Sequence, residues 1–231
     1  MTETLAPPIE ESEWTLGWRI VLGCALAAGA GIVLLFFTFN MFVLPLSREL
    51  GVTRGEIGSI QALIVTGALG AVVIGRAVDS FGVKPIYIGS ALIVIAGQIL
   101  AVLFASTITH MAISIAVLGF FGVGTTGVVT TRPVNAHFHK YRGRALGLVA
   151  TGVSIFAIIA PQILSPMIES YGWRGGFLAL SGFMALGGIP AMALIVPASA
   201  SRAHAGRSGG GRSDWSFLKT RDFQLMAASI I

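Results

Sequence analysis

Six apolar runs, at about residues 20–46, 57–76, 85–106, 110–131, 145–167 and 175–197, fill most of this chain. Each has close to the about 20 residues that an α-helix needs to cross the hydrocarbon core of a bilayer. In hydrocarbon every backbone N–H and C=O must be satisfied by protein, and a helix does this within one segment. The runs therefore predict an all-α membrane protein with six transmembrane helices. Composition agrees: 11% of the residues are charged and 55% hydrophobic, against roughly 25% charged in soluble domains.

Around the bundle expected over 19–197 lie three other stretches. Residues 1–18 form a polar tail, expected to be cytoplasmic. Its first part, "MTETLAPPIEESEW", has four glutamates and no basic stretch, so it does not read as a signal peptide and the first run is expected to remain as a helix. Residues 198–221 are small, polar and basic with three consecutive glycines, the composition of a flexible linker. The apolar "DFQLMAASII" (222–231) reads as the start of a truncated seventh helix. Cys24 is the single cysteine and lies inside the first run, so it reads as a small core residue and no disulfide forms within the chain.

A net charge of +5 raises the question of a nucleic-acid partner, and the placement of the charges answers it. With the N-terminus inside, the inner segments hold Arg19, Arg76, Lys84, Arg132, Lys140, Arg142, Arg144, Arg202, Arg207, Arg212, Lys219 and Arg221, against Arg48, Arg54 and Arg174 outside. Twelve against three is a positive-inside bias. It implies a multi-pass protein of a plasma (inner) membrane with its N-terminus and central linker cytoplasmic, and no nucleic-acid partner. The basic stretches read first as anchors beside anionic headgroups.

Small residues recur at packing distance: Gly23, Ala27 and Gly31; Gly119, Gly122 and Thr126; Gly143 and Gly147. Such spacing lets helices approach closely in lipid. Polar residues inside the runs are fewer, among them Asn40, Gln61, Thr125 and Gln162, with Arg132 at the inner end of the fourth. Polar groups are disfavoured in hydrocarbon unless they face a partner or a water-filled cavity. Each reads either as an interhelical hydrogen bond or as a solute contact, and Asn40, Gln61, Thr125 and Arg132 are the candidates for a substrate pathway. Thr125 and Arg132, seven apart, are expected on one helix face. Pro133 disfavours helix at Arg132, whose side chain is read as an interfacial anchor or as a gate or substrate contact.

Enzymatic readings find no site. "TGVSIF" lacks the second glycine of an intramembrane serine motif, Asp79, Asp214 and Asp222 lie in or beside loops, and His137, His139 and His204 sit in basic loops without a neighbouring carboxylate in sequence. Neither catalysis, a cofactor nor a metal is expected.

One loop is richer than a hairpin turn needs. "GRAVDSFGVKP" (75–85) places Gly75, Asp79, Gly82 and Lys84 between the second and third runs. This spacing resembles the signature between helices two and three of the major facilitator superfamily, with Ser80 and Val83 where that family has arginines. "FGVKPI" (81–86), "NAHFHKYRGRALGLV" (135–149) and "YGWRGGF" (171–177) resemble its monocarboxylate and oxalate/formate porter branch. The resemblance covers nearly the whole chain as the N-terminal half of a twelve-helix transporter, six helices forming two three-helix inverted repeats. It implies a gating loop of Gly75, Asp79, Gly82 and Lys84, in which the carboxylate latches the halves on the inner side; a plain turn or capping role for Asp79 stands beside it. It also implies secondary transport of a small solute, a small organic anion, by alternating access, with a coupling proton or counter-anion and a missing C-terminal six-helix half as partners. The chain departs from the family at Leu118, where many members carry a helix-four arginine, and across "FFTFNMF" (36–42), where animal monocarboxylate porters carry a lysine. A non-transporting six-helix receptor or scaffold is the alternative.

Overall fold

The computed structural model describes residues 13–197; residues 1–12, the 198–221 linker and the 222–231 helix start lie outside the described residues. Every regular element among the described residues is helical. The first run is divided into α1 (Trp14–Gly29), α2 (Val33–Thr38) and α3 (Asn40–Leu50), so helix begins inside the stretch assigned to the tail. At the break between α1 and α2 the Ile32 N–H donates to the Thr125 hydroxyl oxygen at 3.0 Å, so a backbone group freed in an apolar interior still has a partner.

Gly51, left-handed at φ 66°, ends α3, and a reciprocal Thr53–Glu56 capping box starts α4 (Arg54–Ala62). A 3₁₀ turn at Leu63–Thr66 joins α4 to α5 (Gly67–Phe81). After Gly82 come α6 (Val83–Phe104), α7 (Ile108–Gly122), a 3₁₀ turn at Val123–Thr125 and α8 (Gly127–His137). The last is α9 (Arg142–Phe183), extended by π-turns at Met184–Gly188 and Ala191–Ile195.

Among the described residues four stretches are long and apolar enough to cross a membrane: Arg54–Phe81, Val83–Phe104, Ile108–His137 and Arg142–Ile195. The last has 54 residues, more than twice the about 20 of one crossing. It is broken at Gly172, whose φ of 66° and ψ of −166° fall where glycine alone is comfortable.

α1 packs on α8 and α9, α6 on α7 and α9, and α5 on α7. The close crossings are made by missing side chains: a Cβ at Gly152 would lie 2.6 Å from the Ala25 Cβ, and one at Gly70 would lie 2.1 Å from the Phe120 carbonyl oxygen. Gly23, Gly31, Gly119 and Gly122 face neighbouring helices as their spacing predicts. Gly143 and Gly147 do not: nothing lies within 4 Å of a Cβ at either, because the first turns of α9 turn that side to the exterior. Large buried side chains fill the rest, with Phe177 edge-on to both Phe42 and Trp173 at 5.2 and 5.6 Å between ring centroids.

Candidate functional site

Asp79 sits one turn beyond Gly75 on α5, two residues before the helix ends at Phe81. Gly82 then turns the chain directly into α6 with φ 88° and ψ 170°, a conformation that a Cβ would strain. From the neighbouring α8, Arg132 donates from Nη1 to Asp79 Oδ1 and from Nη2 to the Gly75 carbonyl at 3.4 Å. The guanidinium thus holds both the carboxylate and a carbonyl one turn earlier, a use of its several fixed donors that lysine does not reproduce. A Cβ at Gly75 would lie 3.7 Å from Arg132 Nη2, an ordinary contact, so this glycine is not sterically demanded by its neighbour. Lys84 reaches the other way, donating to the Ala193 carbonyl at 2.8 Å and tying the loop to the last π-turn. The four loop residues and Arg132 therefore meet around one helix end.

The helix at Arg132 corrects the expectation drawn from Pro133. α8 continues through the buried Pro133 and Val134 to His137, tertiary packing and the Arg132–Asp79 pair outweighing the local preference of a residue before proline. The spacing argument for Thr125 also fails, for a traceable reason. Thr126 is extended, with φ −94° and ψ 179°, and breaks the run between the 3₁₀ turn and α8, so Thr125 and Arg132 belong to different helical segments. Thr125 is fully buried; its hydroxyl donates to the Gly122 carbonyl at 2.7 Å while accepting from Ile32, which leaves it holding two runs together. Gln61 lines a separate open groove with Phe36 and Val65, and Asn40 is exposed at the start of α3. The four candidate pathway residues do not share one cleft within the described residues.

Two further polar clusters escaped sequence reading. At the Asp79 end, Glu13 lies just before α1, and its carboxylate accepts the backbone N–H groups of His139, Lys140 and Tyr141 at 3.1, 3.1 and 3.2 Å. His137 Nε2 lies 3.0 Å from the Glu13 carbonyl. The N–H of Lys140 foremost, then those of His139 and Tyr141, hold the Glu13 carboxyl below its ordinary range. At the opposite end, Glu49 pairs with Arg174 and accepts from Trp173 Nε1 at 2.9 Å, while Arg174 Nε donates to the Val102 carbonyl at 3.0 Å. Arg174 also lies over the Trp173 ring, 4.4 Å from its centroid. The adjacent Trp-Arg pair after Gly172 was the signal for the second cluster; Glu13 had none, because its partners are 126 to 128 residues away.

The family model of the Major Facilitator Superfamily matches residues 19–231. The chain belongs to the Major Facilitator Superfamily. Within this superfamily it is similar to "Monocarboxylate transporter 4" of Rattus norvegicus, 26% identical over 233 residues, which cover 93% of this chain and 47% of that protein. It is also similar to "Monocarboxylate transporter 4" of Gallus gallus, 27% identical over 177 residues covering 73% of this chain and 35% of that protein. A third relative is "Monocarboxylate transporter 13" of Rattus norvegicus, 26% identical over 182 residues covering 78% of this chain and 41% of that protein. The chain thus spans between about a third and a half of the length of these relatives.

Proposed function

We propose that this chain is the N-terminal half of a secondary transporter that moves a small organic anion of the monocarboxylate kind by alternating access. The observation that carries the reading is the membership of a transporter superfamily together with relatives whose names specify monocarboxylate transport. Six crossings are part of the proposal: the first run crosses despite its breaks, and Gly172 is the turn between the fifth and sixth. In this reading the helices form two three-helix inverted repeats, solute binds near mid-depth against a second six-helix half, and the solute is moved without being chemically changed.

Asp79 and Arg132 act as the inner latch. Their side chains keep 37% and 21% of their surface exposed, so the pair is reachable by a partner helix and is not sealed in the core. Gly82 and Lys84 fix the helix end that presents it. The multi-pass protein sits in a plasma (inner) membrane with the Asp79 end cytoplasmic, and a proton or a counter-anion supplies the coupling. The receptor or scaffold alternative has no comparable support.

Uptake of lactate and of a dicarboxylate into proteoliposomes containing the full-length protein tests the reading. Saturable lactate uptake, driven either by an imposed pH gradient or by internal anion, is the expected outcome. Uptake indistinguishable from empty liposomes under both conditions overturns it.

A further inference from the structure

Two prolines shape the run that follows Gly172. Pro190 and Pro197 carry no N–H, so neither the Leu186 nor the Ala193 carbonyl has the donor that an α-helix would bring it from four residues on. The helix widens on either side of Pro190 into the π-turns Met184–Gly188 and Ala191–Ile195. Within a membrane-spanning run a carbonyl left without a donor is disfavoured. Lys84 meets one of the two: from the first turn of α6 its ammonium donates to the Ala193 carbonyl at 2.8 Å.

α1 leaves a similar gap at its break. The Gly31 N–H, which an unbroken helix would aim at the Ala27 carbonyl, donates to the Ala28 carbonyl at 3.2 Å. Tyr87, one turn beyond Lys84 on α6, closes that gap, its hydroxyl donating to the Ala27 carbonyl at 2.7 Å. Tyr87 is fully buried, and its hydroxyl uses the space that Gly188 leaves in the first π-turn, where a Cβ would lie 2.5 Å away.

The first turns of α6 are thus bonded, side chain to freed carbonyl, to the break in α1 and to the end of the run after Gly172. On its other side α6 meets the latch. α5 ends at Phe81 and α6 begins at Val83, with Gly82 alone between them. Asp79, held by Arg132, is three residues before that glycine. So short a connection leaves little slack in which a displacement of the Asp79 end could be lost before it reaches Lys84.

We propose that Lys84 and Tyr87 are positioning residues of the inner gate, which make the start of α6 a strut that carries the state of the Asp79–Arg132 latch to the break in α1 and to the last π-turn. Each acts through a backbone carbonyl of another element and not through the solute, so its loss slows reorientation and leaves solute affinity in place. The inference rests on the transport reading given above and adds the route by which release of the latch reaches the first and last runs of the bundle.

Two measurements on the full-length protein test it. In a Cys24→Ser background, Ala191→Cys puts a thiol in the last π-turn at a position that is 2% exposed, and its labelling by N-ethylmaleimide reads the packing there. Lys84→Met is expected to speed labelling at least severalfold, and Lys84→Arg, which keeps an N–H donor, to leave it near the parent. Asp79→Asn should speed labelling as well, and add nothing further once Lys84→Met is present. Lactate uptake per folded transporter should follow the same pattern. Lys84→Met and Tyr87→Phe are each expected to lower kcat about tenfold with KM nearly unchanged, and Lys84→Met combined with Asp79→Asn to lower it about tenfold and not about a hundredfold. Labelling that Asp79→Asn leaves unmoved, or effects that multiply in the double variant, would reduce Lys84 to a cap on the last π-turn and overturn the strut. The labelling changes without saturable uptake by the parent would support the strut and overturn the transport reading.

Discussion

At the scale of single residues, the Arg132–Asp79 pair separates chemistry from charge. Because the guanidinium holds both the Asp79 carboxylate and the Gly75 carbonyl, Arg132→Lys should retain the charge and lose the double contact. Lactate uptake by the full-length protein is expected to fall about tenfold in Arg132→Lys and in Asp79→Asn, with surface expression near that of the parent. The expression half of that expectation follows from exposure: a partly exposed ion pair contributes about 1 kcal/mol or less to stability. Parent-like uptake in both variants would leave Asp79 as a turn residue and Arg132 as an anchor. Asp79 was legible in sequence because its spacing from Gly75, Gly82 and Lys84 is local. Its partner was not, since it lies 53 positions away in sequence and Pro133 argued against helix there. The expected common face of Thr125 and Arg132 fails for the converse reason: their spacing was local and regular, but the extended Thr126 between them cancels the regularity, while the interhelical hydrogen bond read for Thr125 is present.

At the scale of elements, the turns and helix ends decide where side chains point. Gly82 and Gly172 both adopt positive φ with extended ψ, a region in which a residue with a Cβ is strained by about 1–3 kcal/mol. Gly82→Ala and Gly172→Ala should each lower thermal stability in detergent by that amount, whereas Gly75→Ala, with ordinary contact distances, should change it little. An equal loss in all three would mean that the second helix end is set by packing and not by backbone conformation. The Glu13 carboxylate gives a pH-dependent counterpart. Its pKa is lowered in the folded state, chiefly by the Lys140 N–H, so its contribution is present above the unfolded carboxylate pKa and is lost as pH falls through the folded value. The stability difference between the parent and Glu13→Gln should therefore be present at neutral pH and vanish in acid; a difference independent of pH would sink the carboxylate's role. The helical class and most run positions were legible because hydrophobic length is a local property. The division of the first run into α1, α2 and α3 was not, because the Ile32–Thr125 bond that accommodates it joins residues 93 apart.

At the scale of the whole molecule, the proposed orientation and the proposed half-transporter make linked predictions. In the proposed orientation twelve basic residues lie on the cytoplasmic side, with the N-terminus and linker, against three outside, so an alkaline-phosphatase fusion at Ser106 should be active and one at Ser208 silent. The reverse pattern would invert the bundle and put the Asp79–Arg132 pair on the outer side. The 231-residue chain alone should insert in this orientation and yet fail to transport. Alternating access needs one bundle to rock against another around a shared site, and the chain spans no more than about half the length of these monocarboxylate transporter relatives. Asn40, Gln162 and the polar side of α9 would then face lipid, where unpaired amides are disfavoured. The anion would meet only one wall. Proteoliposomes holding the 231-residue chain should therefore show no saturable lactate uptake, while those holding the protein with a second six-helix half should. Saturable uptake by the 231 residues alone would mean that they assemble a complete pathway among themselves, and a concentration dependence second order in the chain would identify paired copies as the route.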